Sequence, residues 1–339
     1  MAKTAVALLN WNGEKILPTF LPSVIANTHD ADIYIIDNNS TDKSLDYVRK
    51  NFPQVKIVQL ENNYGFAGGY NRGLKQITAD YFVLLNTDVE VTPNWIDPII
   101  EFMENNPDIA AVQPKILSYQ QKDTFEYAGA SGGFLDKWAY PLARGRILDV
   151  TEKDNGQYDD IVPIFWASGA AMFIRAKDFF EAGGFDEDFF AHMEEIDLCW
   201  RLKNLGKEIY VFPQVKVYHL GGGTLNYHNP RKIFFNFRNS LYTIVKNMPG
   251  SKAFWLILWR MILDGIAAFN FLLTRPKAGF FQVIKAHCNF YKNLSKMLKK
   301  RAALKKNNKF DYEEIIRKSI IWQYYVKKHR YFSQLTNNK

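Results

Sequence analysis

Acidic side chains placed just after an apolar run are the first sign of chemistry in this chain. Asp88 follows the run YFVLL in the segment YFVLLNTDVEV. Residues 81–85 are continuously apolar, which predicts a buried parallel strand, and the carboxyl ends of such strands border the crevice where open α/β sheets bind ligands. A carboxylate is costly to bury unpaired, so a divalent cation that grips a diphosphate is a suitable partner. The alternative is a helix cap, because VTPNWIDPIIEFM follows with Pro93 suited to a first helical turn.

A second acidic group lies in the segment FDEDFFAHMEEIDLCWRLKNLG. Glu194, Glu195 and Asp197 precede apolar residues at helical spacing, which predicts that they open a helix. Acids in a first turn are favoured by the helix dipole, so a purely structural role is one interpretation. Their number exceeds what one cap needs, and a carboxylate near a metal-bound diphosphate is suited to deprotonating a hydroxyl as a general base.

Two strand-to-helix turns are typical of nucleotide sites. In IIDNNSTDKS, Asp37 ends a predicted strand and could accept a hydrogen bond from a nucleobase or a ribose, although an ordinary helix N-cap turn also explains the segment. The segment ENNYGFAGGYNRGL is rich in glycines that let the backbone approach a ligand. It lacks GxGxxG and a P-loop lysine, so neither a dinucleotide-binding Rossmann site nor an NTPase is indicated.

These residues need a framework, and the first half of the chain alternates in a βα pattern. Strands are predicted at TAVALLNW, DIYIID, VKIVQL and the run before Asp88, with a helical segment between each pair, and IAAVQPKI is a further strand. Such alternation implies an α/β fold with a mostly parallel sheet flanked by helices. Residues 144–160 are polar and are predicted to form a surface loop.

Charge divides the chain into two parts. Residues 1–248 hold 24 Lys and Arg against 31 Asp and Glu, a net charge of −7, and residues 249–339 hold 19 against 4, a net charge of +15. We therefore expect a folded body over 1–248 and a helical, basic region over 249–339 that seeks an anionic surface, either membrane or nucleic acid. The two cysteines are too few for a disulfide framework and no export signal is recognised, so a reducing cytoplasm is expected.

The C-terminal region contains one long apolar segment. Residues 253–273 are long enough to span a bilayer, but Arg260 and Asp264 lie near the middle, where each charge costs about 2.5–3.5 kcal/mol on insertion scales. An interfacial or groove-forming helix, a packed core helix and a true span remain open. The following KAHCNFYKNLSKMLKKRAALKKNNK interleaves basic and apolar residues, which suits an anionic lipid surface, although a solvated charged helix has the same pattern.

Taken in order, the motifs of this chain resemble those of glycosyltransferase family 2, especially its bacterial rhamnosyltransferase-like members. The motifs are IIDNNSTD, ENNYGFAGGYNRG, LLNTDVEVTP, WASGAAMFIR, GGFDEDFFAHMEEIDLCWR and VYHLGGGT. The resemblance covers about residues 4–245 and implies a GT-A fold and inverting transfer of a sugar from a nucleoside-diphosphate donor, with Mn²⁺ or Mg²⁺ on the diphosphate. It implies dTDP-rhamnose or a UDP-hexose as donor, and a lipid-linked or oligosaccharide acceptor in cell-surface polysaccharide synthesis. The expected location is cytoplasmic, peripheral at the inner face of the cell membrane.

The resemblance assigns roles around the donor. Asp88 matches the metal-contacting acid of a DxD-like motif, and His219, which ends the run VKVYH, matches a position where some members place a second metal ligand. An imidazole ligand favours Mn²⁺ over Mg²⁺. The residues assigned to the nucleotide sugar are Asn10, Asp37 (at the nucleobase), Asn71, Arg72 and Asn86, which replaces the first acid of the DxD-like motif.

The resemblance also assigns roles around the acceptor. Glu195 aligns with the second acid of the family's ED pair and is the expected general base, with Glu194 and Asp197 as alternatives. The residues expected to line the acceptor side are Trp166, Ser168 and Gly169.

Two other functional classes remain as alternatives. A nucleotidyltransferase acting on sugar phosphates could use a similar sheet, but ALLNWNGEKILP lacks the glycine-rich loop with Arg and Lys that such enzymes usually carry near the N-terminus. A nucleic-acid-binding protein would explain the basic region but not the ordered acidic motifs, so no nucleic acid partner is expected.

Overall fold

The computed structural model describes residues 2–221, 230–274, 278–304 and 312–336, so the part of the motif VYHLGGGT beyond Gly221 lies outside it. The strands are β1 (Thr4–Asn10), β2 (Ala31–Asp37), β3 (Lys56–Gln59), β4 (Tyr81–Leu85), β5 (Val89–Val91), β6 (Ile109–Ser118), β7 (Gly133–Asp136), β8 (Pro141–Ala143), β9 (Arg146–Ile147), β10 (Val150–Thr151), β11 (Val162–Pro163), β12 (Ala171–Arg175), β13 (Glu208–His219) and β14 (Ile315–Ile316). The helices are α1 (Leu17–Asn27), α2 (Ser44–Asn51), α3 (Gly65–Leu74), α4 (Asp97–Glu104), α5 (Ala176–Glu181), α6 (Glu194–Asn204), α7 (Pro230–Asn247), α8 (Gly250–Thr274), α9 (Ala278–Ala303), α10 (Ile320–Tyr325) and α11 (Ser333–Thr336).

The main sheet brings several strand ends to one edge. Over the described residues it has nine strands in the order β11-β13-β6-β12-β4-β1-β2-β3, with β5 paired to β13. Strands β1 to β4 run parallel, β6 and β13 run parallel to each other, and β12 runs antiparallel between β4 and β6. The carboxyl ends of β1, β2, β4 and β13 therefore meet at one edge, where the chain also enters β12. The predicted mostly parallel sheet flanked by helices is confirmed.

Apolar patterning explains why these strands are central. Every residue of β4 is buried, which is typical of a parallel strand covered on both faces. One face packs against α3, α5 and α6, and the other against α1, α2 and α4. Helix α3 approaches β2 closely through Gly73, because a Cβ there would lie only 2.5 Å from Ile36.

The segment after Asp88 differs from its prediction. Asp88 is followed by strand β5, which excludes the helix-cap alternative. The next helix begins at Asp97 with a proline in its first turn, so Pro93 lies before the helix rather than inside it. The short strand forms because Val89 and Val91 bury their side chains while β5 pairs with β13.

Residues 144–160 also differ from the predicted surface loop. They contain β9 and β10, and both Arg144 and Arg146 are buried. The guanidinium groups lie over the rings of Tyr158 and Tyr127, respectively, at 5.0 and 4.3 Å. A polar composition failed to predict burial here because arginine can pack its planar group on an aromatic face.

The end of the chain completes a second sheet. Over the described residues this sheet has the order β10-β9-β8-β7-β14, and Ile315 of β14 pairs with Leu135 of β7. Phe332 is buried against the rings of Phe134 and Tyr158, with centroids 5.1 and 5.9 Å away. The region after residue 249 therefore contains the long helices α8 and α9 and, beyond them, a segment that packs onto the body.

We expect Phe332→Ala to lower the free energy of unfolding by about 3 kcal/mol, because it leaves a cavity between the second sheet and the C-terminal segment. Tyr331→Ala is the matched control, since Tyr331 is exposed and should change stability by less than about 0.5 kcal/mol. Urea unfolding of the two variants measures the difference, and equal stability would contradict this packing.

Candidate active site

Two polar residues follow β4 at the edge of the main sheet. Asn86 and Asp88 lie just after the end of β4, and His219 is the last residue of β13. His219 pairs with Val89 across the β5–β13 ladder, which brings its side chain next to Asp88. Residues more than 130 positions apart in the sequence thus share one side of the crevice.

Asp88 is buried beside His219. Its Oδ1 lies 3.2 Å from Nε2 of His219, and Nδ1 of His219 lies 3.2 Å from Oε2 of Glu126 without hydrogen-bond alignment. Burial raises the pKa of Asp88, but the charge and the hydrogen bond of His219, together with backbone hydrogen bonds, outweigh burial and hold the pKa below its ordinary value. Burial lowers the pKa of His219, whereas Glu126 and Asp88 together raise it to about 10. The ring therefore holds a proton between the two carboxylates, and a metal ion bound at Nε2 would displace the proton from that nitrogen.

These atoms fit an open metal site. Asp88 Oδ1 and His219 Nε2 converge, and Nδ2 of Asn86 lies 3.4 Å from the same nitrogen. A carboxylate oxygen and an imidazole nitrogen are ligands that Mn²⁺ accepts, and Glu126 is placed to orient the ring from behind. No group of three His, Cys, Asp or Glu side chains among the described residues forms a closed cage. A ligand such as a diphosphate would have to complete the coordination.

Two glutamates lie in the first turn of α6. Glu194 is buried and Glu195 is partly buried, and one carboxylate oxygen of each has no hydrogen-bond partner among the described residues. Burial raises the pKa of Glu195 to about 7. Burial and the charge of Glu195 raise the pKa of Glu194 well above its ordinary value. A carboxylate with a pKa near neutrality and a free oxygen is suited to accept a proton.

The chain that enters β12 connects the two acidic groups. The backbone N–H of Asn86 donates to the carbonyl of Ala170 at 3.0 Å. The backbone N–H of Ala167 lies 3.4 Å from Sγ of Cys199, one helical turn after Glu195 in α6. Segment 166–170 therefore contacts both the residues next to Asp88 and the helix that carries Glu195, so the two acids flank the same loop.

The predicted acceptor-side residues lie in this loop. Trp166 is buried and donates from Nε1 to the carbonyl of Phe134 at 3.0 Å. Ser168 is buried, and its backbone N–H donates to Oε1 of Gln113 at 2.8 Å. Gly169 is partly exposed. Trp166 and Ser168 thus fix the loop, and Gly169 lies close to the ring of Phe66, where an added Cβ would be 3.0 Å from Cζ.

Asp197 has a different environment from the two glutamates. It accepts hydrogen bonds from Lys246 at 2.7 and 2.8 Å, from Arg201 at 2.9 Å and from Asn247 at 2.8 Å. Burial raises the pKa of Asp197, but the charges of Lys246 and Arg201 outweigh burial and lower the pKa. Lys246 also pairs with Asp186 at 2.6 Å. The environment of Asp197 suits an anchor for α6, and its role as the alternative base stays a prediction.

Helix α7 also holds the loop before α6. Phe190, His192 and Met193 have positive φ angles of 65°, 68° and 72°, a left-handed conformation that is unfavourable for residues other than glycine. Nδ2 of Asn239 donates to the carbonyls of Phe189, Ala191 and His192 at 3.0, 2.9 and 2.7 Å. The strained conformation persists because the surrounding contacts fix it.

Asn10 and Asp37, both assigned to the nucleotide sugar, are brought together. They are register partners at the ends of β1 and β2 and are fully buried. Nδ2 of Asn10 donates to Oδ1 of Asp37 at 3.1 Å, and the backbone N–H of Ser40 donates to Oδ2 at 3.1 Å. Both oxygens of Asp37 thus support the turn, and its contact with a nucleobase stays a prediction.

Asn71 and Arg72 connect α3 to the loop before α6. Asn71 exchanges two hydrogen bonds with the backbone of Phe185, at 2.8 and 2.9 Å. Arg72 pairs with Glu187 at 2.7 Å and lies over the ring of Tyr64 at 3.8 Å. Nucleotide contacts of these two side chains stay predictions, and they would compete with the bonds just described.

Sequence reasoning missed Glu126, Asn239 and Lys246. Glu126 lies in an irregular segment with no motif around it, and the two α7 residues lie in a helix whose periodic pattern does not distinguish buried polar side chains from apolar ones. Their partners are remote in sequence, so no local signal could have identified them.

Comparisons with known proteins identify the family of this chain. The family model of glycosyl transferase family 2 matches residues 6–175, half of the chain. The N-acetylglucosaminyl-diphospho-decaprenol L-rhamnosyltransferase of Mycobacterium tuberculosis is 26% identical over 227 residues, which cover 60% of this chain and 71% of that protein.

Solved structures share the fold. GalNAc-T7 with UDP, GalNAc and Mn²⁺ has a TM-score of 0.56 at 17% identity, over 73% of this chain and 48% of that one. The mannosyltransferase PcManGT of Pyrobaculum calidifontis, with GDP-Man and Mn²⁺, has a TM-score of 0.53 at 12% identity, over 89% and 84% of the two chains. The expected GT-A fold is confirmed. The chain belongs to glycosyl transferase family 2 and is a glycosyltransferase.

Proposed function

We propose that this glycosyltransferase transfers a sugar, with inversion, from dTDP-rhamnose or a UDP-hexose to a hydroxyl of a lipid-linked saccharide in cell-surface polysaccharide synthesis. The observation that carries the proposal is the placement of Asp88 with His219 and of Glu195 on two sides of segment 166–170. The M. tuberculosis relative, which by name acts on a sugar linked through diphosphate to decaprenol, supports a lipid-linked acceptor and rhamnose as the first donor to test.

Asp88 and His219 are the residues that would hold Mn²⁺ or Mg²⁺. When bound, the cation supplies charge neutralisation for a departing diphosphate. Asp88 suits this role because its lowered pKa keeps it ionised, and Asn86 lies against the same imidazole without adding a negative charge. The Mn²⁺ in GalNAc-T7 and PcManGT supports a divalent ion. The imidazole of His219 favours Mn²⁺.

Glu195 is the residue we assign as general base. It takes the proton from the acceptor hydroxyl, the acceptor oxygen bonds to the anomeric carbon from the opposite face, and the bond from that carbon to the diphosphate oxygen breaks. The nucleoside diphosphate leaves with the electron pair. The partial exposure of Glu195, compared with the burial of Glu194, makes Glu195 the better placed of the two.

We place the reaction in the cytoplasm, at the inner face of the cell membrane, where a lipid-linked acceptor would be available. Residues 249–339 hold 19 basic and 4 acidic residues, and this positive charge supports an anionic surface as the partner.

A donor panel tests the reaction and its residues together. We expect release of nucleoside diphosphate from one nucleotide sugar in the presence of Mn²⁺, and loss of this activity by about 10²-fold or more in Asp88→Ala and Glu195→Gln. Asp46→Ala is the control for Asp88, because Asp46 is exposed on α2 and should retain full activity.

Glu194→Gln is the matched control for the base. If Glu194→Gln lost all activity and Glu195→Gln kept it, Glu194 would be the general base instead of Glu195. Release of pyrophosphate instead of nucleoside diphosphate would identify a nucleotidyltransferase and overturn the proposal.

The dependence of the rate on pH follows from the raised pKa of Glu195. A base acts when ionised, so with saturating Mn²⁺ we expect kcat/KM to rise with pH, to reach half its maximum near pH 7 and to level off above. The residual rate of Glu195→Gln should lack this inflection. A profile that falls between pH 6 and 8 would contradict the assignment.

A further inference from the structure

One face of α8 presents large apolar side chains to solvent. Trp255 and Leu273 are 69% and 72% exposed, and further exposed apolar residues lie between them at spacings of three and four. We call this the outer face of α8, and its residues are Trp255, Leu258, Ile262, Ile266, Phe269 and Leu273. A contiguous apolar surface of this length is a site of interaction, because single exposed apolar residues do not normally line up over about five turns.

Two charged residues near the middle of this helix lie on its opposite side. Arg260 and Asp264 are 3% and 1% exposed. Arg260 donates to Oγ of Ser240 in α7 at 2.5 Å, and Asp264 lies 3.1 Å from Nε2 of His287 in α9. If α8 crossed the membrane, the polar groups that Arg260 and Asp264 contact in α7 and α9 would have to enter the bilayer together with the rest of the polar body. A helix that lies parallel to the surface keeps them out.

Helix α9 packs against α8 and carries exposed positive charge. Lys285, Lys292 and Lys299 are exposed at intervals of seven residues, next to the exposed Ile284 and Tyr291 in the preceding positions. The described residues contain no salt bridge to these three lysines, whereas Lys296 and Lys300 on the same helix pair with Asp188. Apolar residues flanked by unpaired lysines complement an anionic lipid surface.

We propose that the outer face of α8 lies flat in the interfacial layer of an anionic lipid bilayer, so that the helix attaches the protein without crossing the membrane. The inference rests on the membrane location in the proposed function and specifies the element and the mode of attachment. The rings of Trp255 and Trp259 suit this position, because tryptophan prefers the level of the lipid headgroups.

Vesicle binding by the full chain, without substrates, tests the proposal. We expect co-sedimentation with vesicles of phosphatidylglycerol and phosphatidylcholine, and at least about a hundredfold weaker binding of the double variant Ile262→Glu, Ile266→Glu. The matched control is Ile161→Glu with Phe180→Glu, which adds the same charge to exposed apolar positions on the body and should bind as the unchanged protein does. Equal binding by both double variants would overturn the proposal.

Fluorescence resolves the orientation and the alternatives. Lipids brominated near the headgroup should quench Trp255 and Trp259 more than lipids brominated at the chain ends, and Trp255→Phe with Trp259→Phe should remove most of this difference.

Stronger quenching from the bilayer centre would indicate a span. A stable dimer in light scattering that Ile262→Glu, Ile266→Glu dissociates, without vesicle binding, would assign the face to a second copy. Both results would overturn the proposal, and transfer to a soluble acceptor, measured in parallel, reports separately on the proposed reaction.

Discussion

The position of α6 depends on the buried ion pairs between Lys246 and the carboxylates of Asp186 and Asp197. Removing one partner of a buried pair leaves an uncompensated charge, which destabilises a protein by about 3–5 kcal/mol. Here the consequence would reach the site directly, because Asp186 precedes the strained loop and Asp197 lies in the first turn of α6. Helix α7, which carries Lys246 and Asn239, thus fixes both the loop and the helix that present Glu195.

The fold places the carboxyl groups of Asp88 and Glu195 in environments that shift their pKa values in opposite directions. His219 lowers the pKa of the buried Asp88, whereas burial raises the pKa of Glu195 toward neutrality. One acid is therefore suited to hold positive charge and the other to exchange a proton. Lys246 pairs with Asp197, and the charge of Asp197 contributes to the raised pKa of Glu194, so the anchoring acid and the reactive acids of α6 are electrostatically connected.

Most of the framework could be predicted from sequence, because apolar runs such as YFVLL report burial on both faces of a parallel strand. The ends of β1, β2 and β4 then placed Asn10, Asp37 and Asp88 at one edge. The predictions failed where contacts are remote or where polar residues are buried: Arg146 lies on an aromatic ring, and Glu126 meets His219 only after folding. Similarly, the buried placement of Arg260 and Asp264 could not be read from composition, which left three interpretations of α8 open.

The closing of the second sheet by the end of the chain has a consequence for biosynthesis. The backbone N–H of Ile320 donates to the carboxylate of Asp136, 184 residues earlier. Strands β1 to β4 can pair as soon as they leave the ribosome, since each neighbour is made shortly before or after. The second sheet must wait until Ile320 and Phe332 are translated, and until then its apolar residues around Phe125 and Phe134 lack their cover. Nascent chains that stall before residue 320 should therefore be the ones that chaperones bind.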